Sequence, residues 1–268
     1  MRPKIVGVIQ ARMESSRLPG KVLSDLCGEP ALVRMIERVR RCRLLDEVWI
    51  ATTTDPTDDA IVDVVQAHGA KCFRGSAQDV LDRFYRCAQD AQAQIIVRLT
   101  ADCPLHDPSV IDETIRAMLT VRRHFVYAYN NLEPTYPDGL DVEVFTFEAL
   151  QQAARTCQHP LEREHVRLAI TKEHLPDTGQ RPAILTVPAP ADFSHLRFVL
   201  DEPEDLDFIR RVYAALYPQT PLFTWLDVVA LLTRCPWMVA INAEFNANAG
   251  VDGVEFQRSI ELEPGEHP

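Results

Sequence analysis

Two hydrophobic periods alternate along the first hundred residues, and that alternation restricts the fold more than any other feature of the chain. The runs KIVGVIQ (4–10), EVWIATTT (47–54) and AQIIVRLTADCP (93–104) are apolar, β-rich and of strand length. Continuous apolar runs are what strands covered on both faces require. Between them, PALVRMIERVRRCRLL, TDDAIVDVVQAHG and SAQDVLDRFYRCAQDAQ space apolar residues at helical intervals, with Asp58, Gly69 and Ser76 near the expected caps and stops. Strand alternating with helix predicts an α/β fold whose parallel sheet is wound with right-handed crossovers. KCFRG (71–75) adds a further short strand.

Beyond Asp102 the rhythm loosens. DPSVIDETIRAMLTVRR, FEALQQAARTC and EREHVRLAITKEH read as helices, and HFVYAYN, DVEVFTF, PAILTVPA and LRFVL as strands. A helix over EPEDLDFIRRVYAALY is followed by FTWLDVVALLTRC and a less patterned tail. The apolar stretches FVYAY and FTWLDVVALL suit core or a subunit interface, core being the simpler role. With no repeat or low-complexity linker, one domain with an elaborated second half is expected.

Composition narrows the classes. A chain of 268 residues with 46% hydrophobic and 25% charged residues can bury a substantial core and matches neither disorder nor a membrane protein. The opening apolar run is too short for a secretory signal, so a cytoplasmic protein without a membrane partner is expected. A net charge of -11 disfavours nucleic acid, because the average surface repels a phosphate backbone. Seven dispersed cysteines without a C-x-x-C pair argue against a disulfide scaffold or a zinc site.

In an open α/β sheet, ligands bind at the carboxyl ends of the strands, so the loop after each strand is worth reading. The first, IQARMESSRLPGKVL, places Arg12, Arg17 and Lys21 in a segment with one acid, Glu14. Arg forks, a Lys ammonium and loop N–H groups are what a nucleotide phosphate needs; a solvated loop pairing its cations with nearby acids is the plainer alternative. It is not a Walker A loop, since Ser15 and Val22 stand where Gly and Ser or Thr are required, and no G-x-G-x-x-G occurs. Asp102 follows the strand of RLTADCP and Asp201 ends LRFVLD, two positions from which carboxylates can hold magnesium. Glu202, Glu204 and Asp205 beyond it read as helix-capping acids.

The ordered set IQARMESSRLPGKVL, FRGSAQDVLDRF, VRLTADCPLHDP, DGLDVEVFTFEAL, EREHV and LDEPEDLDFIRRVY resembles the SpsF-type cytidylyltransferases, relatives of the CMP-KDO and CMP-sialic acid synthetases. The likeness covers roughly the first four-fifths of the chain. It implies a nucleotide-diphospho-sugar transferase fold, GT-A-like and Rossmann-like, with three layers and a mostly parallel central sheet. Residues 1–218 would form the nucleotidyltransferase domain, and 219–268 a helical extension and tail packed on it. CTP and a small-molecule acceptor would give a CMP-linked product and pyrophosphate, with Mg2+ as cofactor. Cell-surface polysaccharide or glycoconjugate precursor synthesis would be the setting, and a homodimer the assembly.

The same resemblance assigns residues. Ala11, Arg12, Ser16, Arg17, Lys21, Arg74, Ser76 and Thr100 would bind the nucleotide, with Arg12, Lys21 and Asp102 central to catalysis and Asp102 and Asp201 holding the metal. Arg98, Asp141, Glu143, Glu162, Arg163 and His165 would line the acceptor side; Asp141 and Glu143 alternate with valines and so share one strand face. The family usually has Gly at the positions of Glu14 and Ala101, and a T-P-Y run where Arg167, Leu168 and Ala169 stand here. The alternatives are a GT-A-like glycosyltransferase, against which the single aspartate of ADC speaks, and a nucleotide-binding homologue without turnover.

Overall fold

A computed structural model describes residues 2–121, 124–172 and 182–246. In chain order its elements are β1 (Ile5–Gln10), β2 (Asp25–Leu26), β3 (Glu29–Pro30), α1 (Ala31–Val39), β4 (Glu47–Thr53), α2 (Asp59–Ala67), β5 (Lys71–Gly75) and α3 (Val80–Asp90). There follow β6 (Ile95–Thr100), α4 (Pro108–Val121), β7 (Tyr127–Tyr129), β8 (Glu143–Thr146), α5 (Phe147–Thr156), α6 (Pro160–Glu164) and α7 (Val166–Thr171). The series closes with β9 (Ile184–Thr186), α8 (Pro203–Leu216), α9 (Trp225–Arg234) and α10 (Ala243–Asn246).

Seven strands form one sheet in the order β5-β4-β1-β6-β8-β7-β9. The first four are mutually parallel, and β8 joins β6 antiparallel. The chain winds from β1 outward through β4 to β5, then returns to place β6 on the other flank of β1. In open α/β sheets such a reversal marks the ligand-binding crevice at the carboxyl ends of the two strands, here β1 and β6. Strand residues alternate faces, so β1 sends Ile5 and Ile9 into one core cluster and Val6 and Val8 into the other. Residues of α1, α2, α4, α8 and α9 complete the first cluster and residues of α3, α5 and α7 the second, giving the three layers expected.

The first half agrees with the alternation in the sequence; the departures lie mainly in the second. Residues 196–200 form no strand, only an isolated bridge between Asp138 and Arg197. The reason is a close crossing at Gly139, whose φ is +98° and where a Cβ would stand 2.6 Å from the Phe198 carbonyl carbon. The segment's N–H groups are met singly, Phe198 by Asp138 O at 2.6 Å and Leu200 by Asp102 O at 2.7 Å, leaving no ladder to propagate. The helix expected over 162–174 breaks at His165, which adopts φ -107° and ψ 94° and yields the short α6 and α7. Its last two residues, the end of the helix over 107–123 and the tail from 247 lie outside the described residues. The β2–β3 hairpin, unforeseen, turns through Cys27 and Gly28, both at positive φ as a two-residue I′ turn requires. FVYAY supplies Tyr127 and Ala128 to the core, and FTWLDVVALL contributes Phe223, Trp225 and Val228 while exposing Leu226.

Candidate active site

The loop leaving β1 is held from below by an aspartate. Asp58 is 1% exposed; its Oδ1 accepts the Met13 N–H at 2.7 Å, and its Oδ2 accepts from the Thr52 hydroxyl at 3.0 Å and the Thr53 N–H at 3.1 Å. The loop then doubles back, Gly20 donating to Met13 O at 3.0 Å from a left-handed φ of 72°. This fold delivers Lys21 to the crevice. Asp58→Ala would leave these donors unsatisfied, which costs about 1–3 kcal/mol, and would free the loop. The expected result is a lower urea midpoint together with a KM raised above that of the wild type, measured by unfolding and steady-state kinetics.

Lys21 is 9% exposed and its ammonium lies between two carboxylates, 3.0 Å from Asp102 Oδ2 and in a very short contact with Asp201 Oδ1. Burial alone would lower its pKa, but the charges of Asp102 and Asp201 outweigh that and leave it raised. For Asp102, burial pushes upward, but the Lys21 charge together with hydrogen bonds from Thr100, Lys21 and Cys103 holds the carboxyl below its usual range. Arg17 donates to Asp201 Oδ2 at 2.8 Å and pairs with Glu202 at 3.3 Å. Arg12 is exposed and has neither hydrogen bond nor ion pair among the described residues. Ser16 is exposed, and Thr100 sits at the end of β6 with its hydroxyl 3.4 Å from Cys103 Sγ.

Asp201 is aimed from behind. Asp205, wholly buried, accepts the N–H groups of Asp201 at 3.0 Å and Glu202 at 2.9 Å. Both its oxygens also pair with Arg197, whose third contact is Asp138, and Asn242 donates to Asp205 Oδ1 at 2.9 Å. Asp205 thus caps α8, as the acids after Asp201 were read, and also fixes the loop that carries a candidate ligand. His106, fully buried, ties the loop after β6 to the segment before β8, its ring nitrogens 2.9 Å from Cys103 O and 2.8 Å from Asp141 O.

On the far side of β6, Arg98 forms an ion pair with Glu143, which also accepts from the Tyr127 hydroxyl. Asp141 accepts from the Tyr129 hydroxyl and the Asn131 amide, each at 2.7 Å. Arg83 and Arg98 keep a buried Nε without a partner among the described residues, as Asn131 keeps its Oδ1. Arg83 is 1% exposed, and burial and then the charge of Arg12 push its pKa down to about 10.

Other sequence-based assignments are engaged elsewhere. Arg74 spends its guanidinium on Thr53 O, Asp55 O and Asp59, tying β5 to the loop after β4. Ser76 accepts the Asp79 N–H, and Ala11 gives its own N–H to Ala51 O, extending the sheet pairing. Arg163 forks into Asp79 and the carbonyl of Ala154, and Glu162 pairs with Lys172, so both brace the helical layer. His165 is exposed at the α6–α7 junction. Asp58, Arg83, Tyr129, Asn131 and Arg197 escaped the sequence reading. Of these only Asp58 carries a sequence signal, as an acid just past a strand end that also suits a helix cap. Glu14 is exposed and forms no ion pair with the loop's cations, and Ala101 is buried in the core with its N–H on Gln10 O.

Among the described residues no group of three or more His, Cys, Asp or Glu could hold a metal ion. Asp102 and Asp201 nevertheless converge on one cation, Lys21, and two carboxylates completed by water and phosphate oxygens are a donor set that magnesium accepts. The residues therefore fit the ion.

A mostly parallel seven-stranded sheet with its strand-order switch at β1 and β6 is the fold of the nucleotide-sugar-transferase type. The comparisons make the family specific: the cytidylyltransferase family model matches residues 6–223, and the chain belongs to that family. It is 32% identical to the spore coat polysaccharide biosynthesis protein SpsF of Bacillus subtilis over 87% of this chain and 95% of that one. It is 39% identical to an uncharacterized protein of Methanocaldococcus jannaschii over 61% of this chain and 65% of its relative. A 3-deoxy-manno-octulosonate cytidylyltransferase of Anaeromyxobacter dehalogenans is 31% identical over 78% of this chain and 97% of its own. Among solved structures, a cytidylyltransferase from Leptospira borgpetersenii superposes with a TM-score of 0.81 and 28% identity, covering 89% of this chain and 97% of that one. No helix among the described residues is long and apolar enough to cross a membrane.

Proposed function

We propose that this protein transfers CMP from CTP to a hydroxyl of a sugar, sugar acid or small phospho-compound, releasing pyrophosphate, in the synthesis of a cell-surface polysaccharide or glycoconjugate precursor. The observation that carries the reading is Lys21 between Asp102 and Asp201 at the mouth of the β1–β6 crevice. Lys21, Arg17 and Arg12, the last without a partner among the described residues, supply positive charge where a triphosphate would lie, and charge neutralisation with in-line positioning is most of what phosphoryl-type transfer needs. Mg2+ on Asp102 and Asp201 would withdraw charge from phosphate oxygens. Arg98, Glu143, Asp141, Tyr129 and Asn131 offer fixed donors and acceptors for a polyhydroxylated acceptor. The SpsF and 3-deoxy-manno-octulosonate enzymes among its relatives favour a sugar-derived one. No side chain needs to act as a nucleophile.

Pyrophosphate release with each NTP, with and without Mg2+, across a panel of sugars, sugar acids and phospho-compounds tests the reading. CTP with Mg2+ and one acceptor class is expected to turn over. CTP binding without release on any acceptor would favour the nucleotide-binding scaffold, and sugar transfer from a nucleotide sugar the glycosyltransferase. A homodimer belongs to the same reading, and light scattering of the full chain measures it.

A further inference from the structure

We infer that Lys21 is a placeholder for the divalent cation: it neutralises Asp102 and Asp201 while the crevice holds no nucleotide, and yields them only when a triphosphate arrives to take its charge. The inference rests on the site reading above and adds an order of assembly to it. Each oxygen of Asp201 is already committed, Oδ1 to Lys21 and Oδ2 to Arg17, and Asp102 gives Oδ2 to the same ammonium. The Lys21 side chain is only 11% exposed, so its charge cannot be left to solvent and must keep an anionic partner. A dication entering alone would meet that ammonium at the very oxygens it needs, with no added anion to offset the repulsion. A triphosphate changes the balance, because Lys21 and Arg17 can turn to phosphate oxygens and release the carboxylates. The same two cations thus serve two sets of anions in turn. A purely structural ion pair would predict no such link between metal and nucleotide.

Manganese binding, read from the paramagnetic resonance signal of free Mn2+, tests this on the full chain. Without nucleotide, the wild-type protein is expected to bind Mn2+ on the order of a hundredfold more weakly than Lys21→Met, in which the competing charge is gone. Lys21→Met combined with Asp102→Asn should lose that gain, and CTP should restore metal binding to the wild type beyond what CTP binds in solution. Equal Mn2+ affinity of wild type and Lys21→Met without nucleotide, whether both bind or neither does, overturns the inference. Should Lys21→Met fail to fold by circular dichroism, Lys21→Gln removes the same charge with a polar head that still bonds a carboxylate. Calorimetry with CTP separates the two levels. Absence of CTP binding sinks the cytidylyl-transfer reading, whereas CTP binding with equal metal affinities sinks only the placeholder.

Discussion

Asp102→Asn is expected to fold normally and to lose about 10³-fold or more of kcat, the scale of removing a central charge-stabilising group. The fold should survive because asparagine has the same shape and its carbonyl still accepts from Lys21. Asp201 continues to balance the ammonium, so no uncompensated buried charge is created. Turnover should not survive, because one of two carboxylates converging on the cation position has become neutral. Lys21→Ala should lose activity to a similar degree by removing the buried cation of the loop after β1. Pyrophosphate release together with a thermal melt measures both, and wild-type rates in either variant would remove that residue from the site.

Arg197→Met is expected to produce the largest loss of stability, about 3–5 kcal/mol, the usual cost of removing one partner from a buried ion pair. Asp205 is wholly buried, and Arg197 engages both its oxygens and Asp138 as well. Without the guanidinium, Asp205 keeps, among the described residues, only Asn242 and two backbone N–H groups against a full negative charge. Those two N–H groups belong to Asp201 and Glu202, so the damage should reach the site as weaker metal-dependent activity. Arg197→Lys should recover only part of the stability, since an ammonium cannot reproduce the bidentate fork. Urea unfolding measures the first effect and Mg2+ dependence of the rate the second; a stability loss within 1 kcal/mol of zero, far below the usual cost, would contradict the assignment.

How far the sequence was legible follows from how local each signal was. The parallel half of the sheet was visible because strands buried on both faces need continuous apolar runs and their covering helices need an apolar stripe. The basic loop after β1 and the aspartate after β6 were visible for the same reason, each being fixed by its place beside one strand. Reading failed at 196–200, where an apolar β-rich run makes single hydrogen bonds at a crossing set by Gly139. Nor could it show the partners of Arg74, Ser76, Glu162 and Arg163, which the fold supplies through tertiary contacts. Glu14 could be counted as a charge in the loop, but not found to stand clear of its cations.

The sequence by itself determined the parallel half of the sheet, the layering around it and the positive charge of the loop after β1, because periodicity and loop composition are properties of contiguous residues. Only the tertiary structure decided that Lys21 lies between Asp102 and Asp201, 81 and 180 positions away, that Asp58 anchors the loop, and that Arg197 and Asp205 aim Asp201. Burial and the choice of ion-pair partner depend on distances between remote segments, and those distances exist only once the sheet has brought its carboxyl ends together.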